Sequence, residues 1–262
     1  MKRSSLLGLI ACALFLLGAC RSTKDITYFQ PISPEYDEQT LLALEPYIPL
    51  IKEGDILSII VSSLDKDATA MFNPVPENRG AVQTTGSTAP NPVVGFLVDD
   101  NGNITLPLVG TVYVKGKTSK TLAAELMQTL NEYLESPTVF VRIANYQITL
   151  LGEVARPSVY TIPNEMITLP QALAMAGDLT IYGKRKNILI IREELGNRTY
   201  ARVNVADRSI FDSPYYYLRA GDVVYVESTP GKLTSTDRVY QLTPILISSL
   251  SFLVLIFNNF VK

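Results

Sequence analysis

The sequence predicts an α+β protein in which two small sheet-and-helix units lie between two apolar chain ends. Short apolar segments bounded by glycine, proline and aspartate recur between residues 51 and 228, which is typical of strands. Two segments with apolar residues at helical spacing, 118–134 and 169–176, interrupt them. Hydrophobic residues make up 47% and charged residues 18% of the 262 residues, so the chain can bury a core. This mixture of strands and separate helices is typical of the α+β class.

The first unit is predicted to occupy residues 48–145. Lys52–Asp55 is a turn that opens a strand, and Asp99–Gly102 is a hairpin signal between two further strands. A helix should begin after Thr118, whose hydroxyl can cap it, and should continue to about Leu134. The predicted strands of this unit are Ile56–Val61, Phe96–Val98, Asn103–Leu106, Gly110–Val114 and Thr138–Ala144.

The second unit is predicted to occupy residues 146–228. Its short helix, Leu169–Ala176, is closed by Gly177. A sheet wrapped on one helix within about eighty residues has the proportions of a β-grasp. The segment Ile51–Leu57 is echoed by Leu218–Val224, and in both a Gly-Asp pair turns the chain into an apolar strand. The predicted strands are Ile148–Leu151, Val159–Ile162, Ile188–Arg192, Thr199–Val205 and Val223–Val226.

The N-terminal end has the pattern of a bacterial lipoprotein signal. Residues 1–19 are predicted to be a signal peptide, because two basic residues precede the apolar run Leu6–Leu17. Leu17–Cys20 resembles a lipobox, which makes Cys20 the predicted site of lipid attachment and the first residue of the mature chain. An ordinary cleaved signal with a chance cysteine is the alternative. Residues 20–47 would then be a lipidated N-terminus and an extended tether to the first unit.

The C-terminal end is predicted to be a transmembrane helix, residues 241–262, preceded by a linker over residues 229–240. No charged residue occurs between Arg238 and Lys262, and twenty helical residues span about 30 Å, the thickness of a bilayer core. A buried helix of a soluble domain is the alternative. Residues at heptad spacing on one side of this helix are mostly polar. They could line a pore, or they could permit close packing against another helix. The predicted pore-lining residues are Gln241, Ser248, Ser251 and Asn258.

Composition points away from an enzyme. The chain has no histidine, and its two cysteines lie at Cys12 and Cys20, so Ser-His-Asp catalysis, imidazole metal sites and a disulfide in the folded part are excluded. A net charge of -2 gives no sign of the positively charged surface that binds nucleic acid. The acid pairs Asp99-Asp100 and Glu193-Glu194 are poor glycosidase candidates, because neighbours in a strand point to opposite faces. No metal or cofactor is expected beyond the lipid on Cys20.

Two further clusters have more than one interpretation. Lys184–Lys186 could contact an anionic sugar polymer or a neighbouring subunit, but a solvated loop is favoured. Tyr215–Tyr217 could stack on sugar rings, and packing within a strand or an interface is at least as well supported.

Several spaced motifs resemble a known family. Gly54–Leu57, Asp100–Gly110 and the helix after Thr118 resemble the polysaccharide export domain. Leu151–Pro157 and Leu169–Leu179 resemble the soluble-ligand-binding β-grasp (SLBB) domain, although Ser158 and Asp178 stand where that family usually has glycine. Together these motifs resemble an outer-membrane polysaccharide export lipoprotein of the Wza type.

The resemblance implies a passive conduit in the bacterial outer membrane for capsular or extracellular polysaccharide. It implies a homo-oligomeric ring of about eight subunits and an inner-membrane polysaccharide co-polymerase or tyrosine-kinase-type partner that supplies the energy. The long loop over residues 65–95 is expected to be ordered by a neighbouring subunit. The alternative function is a membrane-anchored β-grasp module that binds a sugar or another small ligand. The terminal helix favours the conduit, because a binding lipoprotein anchored at Cys20 needs no second membrane element.

Overall fold

A computed structural model shows a mixed α/β chain with mostly strands and few helices, which confirms the predicted α+β class. Its two units share one continuous hydrophobic core. The residues that the structure describes are 26–31, 42, 44–73, 94–194, 196–232, 242, 244–249, 251–253 and 256.

The first unit is a three-stranded sheet with a separate hairpin and one long helix. The sheet order is β2-β1-β5, all antiparallel, and β3 pairs with β4 in a sheet of their own. Inward residues of β5 alternate with exposed ones, as predicted for a half-buried strand. The elements are β1 (Ile56–Ser62), α1 (Lys66–Thr69), β2 (Phe96–Leu97), β3 (Asn103–Leu106), β4 (Gly110–Tyr113), α2 (Ser119–Leu130) and β5 (Thr138–Ile143).

The turn at Asp99–Gly102 forms, but the predicted hairpin across it is wrong. Asp99 Oδ1 accepts backbone hydrogen bonds from Asn101 and Asn103 at 2.9 and 2.8 Å, which closes the turn. The strand before the turn pairs with β1, and the strand after it pairs with β4. The chain therefore changes sheets at this turn, because Val98 is already bonded to Asp55 beside β1.

Helix α2 begins as predicted and ends earlier. The Thr118 hydroxyl accepts from Thr121 N at 3.1 Å and caps the first turn. The helix stops at Leu130, whereas the leucine spacing predicted an end near Leu134. Leu134 is nevertheless buried, and its backbone N–H still donates to Leu130 O at 2.8 Å. Burial of a leucine at helical spacing thus continues for one turn beyond the helix itself.

The second unit is a five-stranded sheet with one short helix on its inner face. The sheet order is β10-β9-β12-β6-β7, and its first and last strands, β6 and β12, lie side by side and parallel. The buried side of α3 packs into the common core. This arrangement agrees with the predicted sheet wrapped on one helix. The elements are β6 (Gln147–Gly152), β7 (Ser158–Thr161), β8 (Ile167–Thr168), α3 (Leu169–Met175), β9 (Gly183–Glu194), β10 (Asn197–Val203), β11 (Tyr217–Leu218) and β12 (Val223–Ser228).

The two echoed segments adopt the same turn. In the first, Lys52 N donates to the Asp55 carboxylate at 2.9 Å, and in the second, Arg219 N donates to the Asp222 carboxylate at 2.8 Å. Both aspartates are buried. Only Asp222 also holds a buried cation, because Arg192 donates to its two oxygens at 2.9 and 2.7 Å.

The joint between the units is made by polar side chains. Asn145, between β5 and β6, accepts from Ile56 N at 2.9 Å and donates to Gly54 O at 3.0 Å. Glu165 of the second unit accepts from Ser119 Oγ at 2.9 Å and from Ile143 N, both in the first unit. Glu165 has a φ of 55°, a left-handed conformation that a glutamate holds only when its contacts fix it.

Glu165→Ala should loosen this joint. The substitution leaves Ile143 N without its carboxylate acceptor, which should lower the free energy of unfolding by about 1–3 kcal/mol. Glu165→Gln is the matched control, since its amide oxygen can still accept. The measurement is the denaturant midpoint together with the rate of limited proteolysis between the units. Equal midpoints for the two variants would contradict this role for the carboxylate.

Candidate functional site at the docked N-terminal segment

Residues 26–31 dock on the second unit. Phe29 N and Gln30 N donate to two carbonyls in the connection after β10, at 3.2 and 2.8 Å. Arg208 Nε donates to Phe29 O at 3.3 Å. Within the predicted tether, these described residues are therefore bound to the second unit through their backbone.

Aromatic contacts strengthen this docking. The ring centroid of Phe29 lies 5.1 Å from that of Phe211, and the ring centroid of Phe211 lies 5.5 Å from that of Tyr216. Phe29 has a φ of 52°, which costs a non-glycine residue about 1–2 kcal/mol. The hydrogen bonds and ring contacts of Phe29 offset this strain, so residues 26–31 have a defined position on the second unit.

Tyr28 links the segment to the end of α3. Its hydroxyl donates to Asp178 Oδ1, and the Arg185 guanidinium lies 5.2 Å from its ring centroid. Burial, and next the hydrogen bond to Asp178, raise the pKa of Tyr28 above its ordinary value. The hydroxyl therefore stays protonated and remains a donor at neutral pH.

An apolar pocket of about 390 Å³ lies between the docked segment and α3. Tyr28 and Phe29 form one wall, and Pro170, Leu173 and Ala174 form the other. The volume is within the range of small-ligand pockets, about 300–1,000 Å³. Because the hydroxyl and the carboxylate at its edge already bond to each other, the pocket suits an apolar or aromatic group.

Motif residues of the second unit serve its structure. Gly152 has a φ of 86°, and a Cβ there would lie 2.0 Å from Val226 O, so no side chain fits. Glu153 Oε2 accepts from Thr180 Oγ1 at 2.7 Å. Arg156 donates to Met175 O at 3.0 Å at the C-terminal end of α3. The motif thus joins the strand β6 to its neighbours and to the helix.

The interpretation of Lys184–Lys186 as a solvated loop is wrong. All three residues belong to β9, and Arg185 is buried, with its guanidinium donating to Gly183 O at 3.0 Å. Lys184 pairs with Glu227 at 3.0 Å. Arg202, and next Lys184, lower the pKa of Glu227 to about 2 by hydrogen bonding to it.

Packing accounts for the tyrosine run. The ring of Tyr216 contacts those of Phe211 and Tyr217, at 5.5 and 5.1 Å. Tyr215 lies under the Arg192 guanidinium, 4.9 Å from its ring centroid. These contacts favour the packing interpretation over sugar stacking.

The acid pairs are engaged in surface contacts. Glu193 pairs with Arg198 at 2.9 Å, and Glu194 pairs with Arg219. Asp99 closes its turn, as described above. Within the described residues, no group of three or more acidic or cysteine side chains is placed to hold a metal ion.

Most of the predicted site residues lie outside the described part of the chain. This holds for Cys20, Gln241 and Asn258. Ser248 and Ser251 are described, helical and exposed, and their hydroxyls donate to backbone carbonyls of the preceding turn at 2.8 Å. Among the described residues no helix is both long and apolar enough to cross a bilayer. The pore-lining stripe therefore stays a prediction.

Residues 45–144, which contain β1 to β5, match the family model described as polysaccharide biosynthesis/export protein. These residues are similar to the polysaccharide export family. The resemblance predicted from the spaced motifs is confirmed.

Curated relatives extend the polysaccharide export likeness beyond this domain. The EPS I polysaccharide export outer membrane protein EpsA of Ralstonia solanacearum is 29% identical over 195 residues, which cover 72% of this chain and 50% of the relative. The capsule polysaccharide export protein BexD of Haemophilus influenzae is 26% identical over 194 residues, which cover 74% of this chain and 47% of the relative. The chain thus spans about half the length of the curated relatives it matches.

Sequence reasoning missed the docked segment and its partners. Tyr28 and Phe29 stand as an aromatic pair in an otherwise polar stretch, which is the signal that could have indicated a docking site. Asp178 was noted only as a departure from a glycine motif. Its φ of 73° shows that it adopts the left-handed backbone that glycine would have, while adding a carboxylate for Tyr28.

Proposed function

We propose that the chain is an outer-membrane lipoprotein subunit of an oligomeric channel that exports a capsular or extracellular polysaccharide. The observation that carries this proposal is the polysaccharide export domain at residues 45–144. The names of the relatives, which are export proteins and in EpsA an outer membrane protein, support the substrate class and the location. The channel is a passive conduit, and inner-membrane partners supply the energy.

The docked segment supports the anchoring part of this proposal. Ile26 follows the proposed lipidated residue, Cys20, by six residues, which can span at most about 20 Å. A lipid on Cys20 would therefore hold the second unit close to the membrane surface through Tyr28 and Phe29. Two or three acyl chains on one residue provide stable attachment, where a single chain would be marginal.

The C-terminal segment is proposed to complete the channel wall. In a ring of about eight copies, Gln241, Ser248, Ser251 and Asn258 would face the passage, and the leucines of the opposite side would face lipid. Uncharged hydroxyl and amide groups would allow a sugar polymer to move without binding tightly. The conduit has no catalytic role in this proposal.

The test is complementation with Cys20→Ala. In a strain lacking the gene, the wild-type chain should restore extracellular polysaccharide. Cys20→Ala should leave an unprocessed or mislocalised precursor and should fail to restore export, because the anchor is lost. Cys12→Ala is the matched control, since Cys12 lies in the signal run that is removed. Normal fractionation and export by Cys20→Ala would contradict the anchoring role.

The pocket favours a second candidate, a membrane-anchored β-grasp module that binds a small ligand. Its volume of about 390 Å³ is large enough for such a ligand. This candidate requires that loss of the gene leave export intact. The same complementation experiment therefore separates the two functions.

A further inference from the structure

The loop that joins α3 to β9, residues 176–182, is contacted both by the docked N-terminal segment and by the chain that follows β12. On the N-terminal side, the Tyr28 hydroxyl donates to Asp178 Oδ1. On the C-terminal side, Thr229 N donates to Tyr182 O at 2.7 Å. Two parts of the chain that are about 200 residues apart in sequence are therefore held at one short loop.

Glu153 strengthens the attachment on the C-terminal side. Thr180 of the loop donates to one carboxylate oxygen of Glu153 at 2.7 Å, and Lys232 donates to the other oxygen. The Glu153 side chain is only 9% exposed, so this ion pair is shielded from water on the carboxylate side. Charge-assisted hydrogen bonds of this kind are stronger than neutral ones. The C-terminal segment therefore leaves the second unit beside the α3–β9 loop.

The tip of this loop exposes an isoleucine. Gly183 N donates to Thr180 O at 3.0 Å, and Tyr182 N donates to Thr180 Oγ1 at 3.2 Å, so the turn around Ile181 is closed by two hydrogen bonds. Ile181 is 74% exposed, more than any other large hydrophobic side chain described in the second unit. Glycine, proline, asparagine, aspartate and serine dominate tight turns, and isoleucine provides none of their hydrogen bonds or backbone freedom. The turn therefore holds an apolar side chain outward in a fixed position.

The charged groups at this loop already have partners. Asp178, the one charged residue of the loop, accepts from Tyr28, and Glu153 pairs with Lys232. Arg185 is buried, lies 5.2 Å from the Tyr28 ring centroid and donates to backbone carbonyls. A charge that is brought close to lipid is costly unless it is paired and hydrogen-bonded. The loop can therefore approach a lipid surface without isolating any of these charges.

We propose that the α3–β9 loop rests on the membrane that anchors the chain, and that Ile181 inserts into the lipid surface. Cys20 precedes Ile26 by six residues, and Gln241 follows Lys232 by nine, so both proposed membrane elements begin within about 20–30 Å of their attachments at this loop. Membrane binding grows with the apolar area inserted, so one isoleucine adds little. The lipid holds the chain, and Ile181 sets its orientation. The inference rests on the proposed function, from which it takes the lipid and the terminal helix.

The test uses tryptophan fluorescence of the full-length lipidated chain in phospholipid vesicles. The chain has no tryptophan, so Ile181→Trp introduces a single fluorophore at the tip of the loop. Its emission should shift to shorter wavelength in vesicles, and lipids with brominated acyl chains should quench most of it. Leu97→Trp is the matched control, because Leu97 is 63% exposed on β2 of the first unit. Its emission should stay that of a tryptophan in water, without quenching.

The outcomes separate this contact from the proposed function. Quenching at position 181 and not at position 97 supports the proposal. If both variants sediment with the vesicles and neither is quenched, the loop faces water, which overturns the contact and leaves the anchor in place. A shift to shorter wavelength without quenching shows that protein, not lipid, covers Ile181, and equal quenching at both positions shows a contact without orientation; each overturns the proposal. A wild-type chain that does not bind the vesicles overturns the anchor and the contact together.

Discussion

Asp222→Ala is expected to destabilise the chain by about 3–5 kcal/mol, because it leaves a buried guanidinium without its counter-charge. The Arg192 and Asp222 side chains are 8% and 1% exposed, and their closest oxygen–nitrogen distance is 2.7 Å. Arg192 also donates to Tyr217 O at 3.1 Å, which fixes it beneath β11. The measurement is the denaturant midpoint of the full-length chain, followed by circular dichroism.

The repeated turn provides an internal control for this prediction. Asp55→Ala removes the same side-chain acceptor of a backbone N–H from the equivalent turn, with no arginine bound to it, and should cost about 1–3 kcal/mol. The difference between the losses in free energy of unfolding of the two variants gives the contribution of the buried ion pair. Alanine at Glu193, whose ion pair with Arg198 is well exposed, should cost at most about 1 kcal/mol. If Asp222→Ala unfolds no earlier than Asp55→Ala, the ion pair does not stabilise the sheet.

Local signals predicted the elements of this fold well and their partners less well. The cap at Thr118 and the alternation in β5 depend on residues a few positions apart, and both form as predicted. The strand Phe96–Leu97 instead pairs with Ile56 and Leu57, some forty residues earlier in the chain. A turn signal shows where the chain reverses, but it carries no information on which distant strand competes for the pairing.

The same limit applies to the candidate site. The position of Tyr28 depends on Asp178 and Arg185, which lie about 150 residues later in the sequence. No local pattern therefore indicates it. Arg185 is buried although its neighbours are lysines, and its guanidinium lies against the Tyr28 ring and donates to Thr180 O and Gly183 O. The lipobox at Cys20 and the polar stripe near Ser248 are patterns within a short stretch, and sequence alone was sufficient to propose them.

Cysteine at Ser248 or Ser251 is expected to react with a charged, water-soluble thiol reagent and to stop most polysaccharide export once modified. Helices of about 10 Å diameter in a ring of about eight leave an opening on the order of 10–15 Å, and a charged adduct at the wall would narrow it. Both hydroxyls donate to carbonyls of their own helix, which satisfies them equally well in lipid. These hydrogen bonds therefore fit both a stripe that faces water in a pore and a stripe that packs against a neighbouring helix. Only the access of solvent to the two serines distinguishes these interpretations.

Leu246→Cys and Leu253→Cys are the matched controls, because they lie on the opposite side of the same helix and should remain unlabelled with export intact. Labelling is measured on intact cells by mass shift, and export is measured as polysaccharide in the medium. A stripe that only allows close helix packing would leave the serine positions as unreactive as the leucines, since small residues at a helix contact exclude water. In that case the terminal helix is an anchor and the passage lies elsewhere. Reaction at all four positions would show instead that the segment does not separate water from lipid.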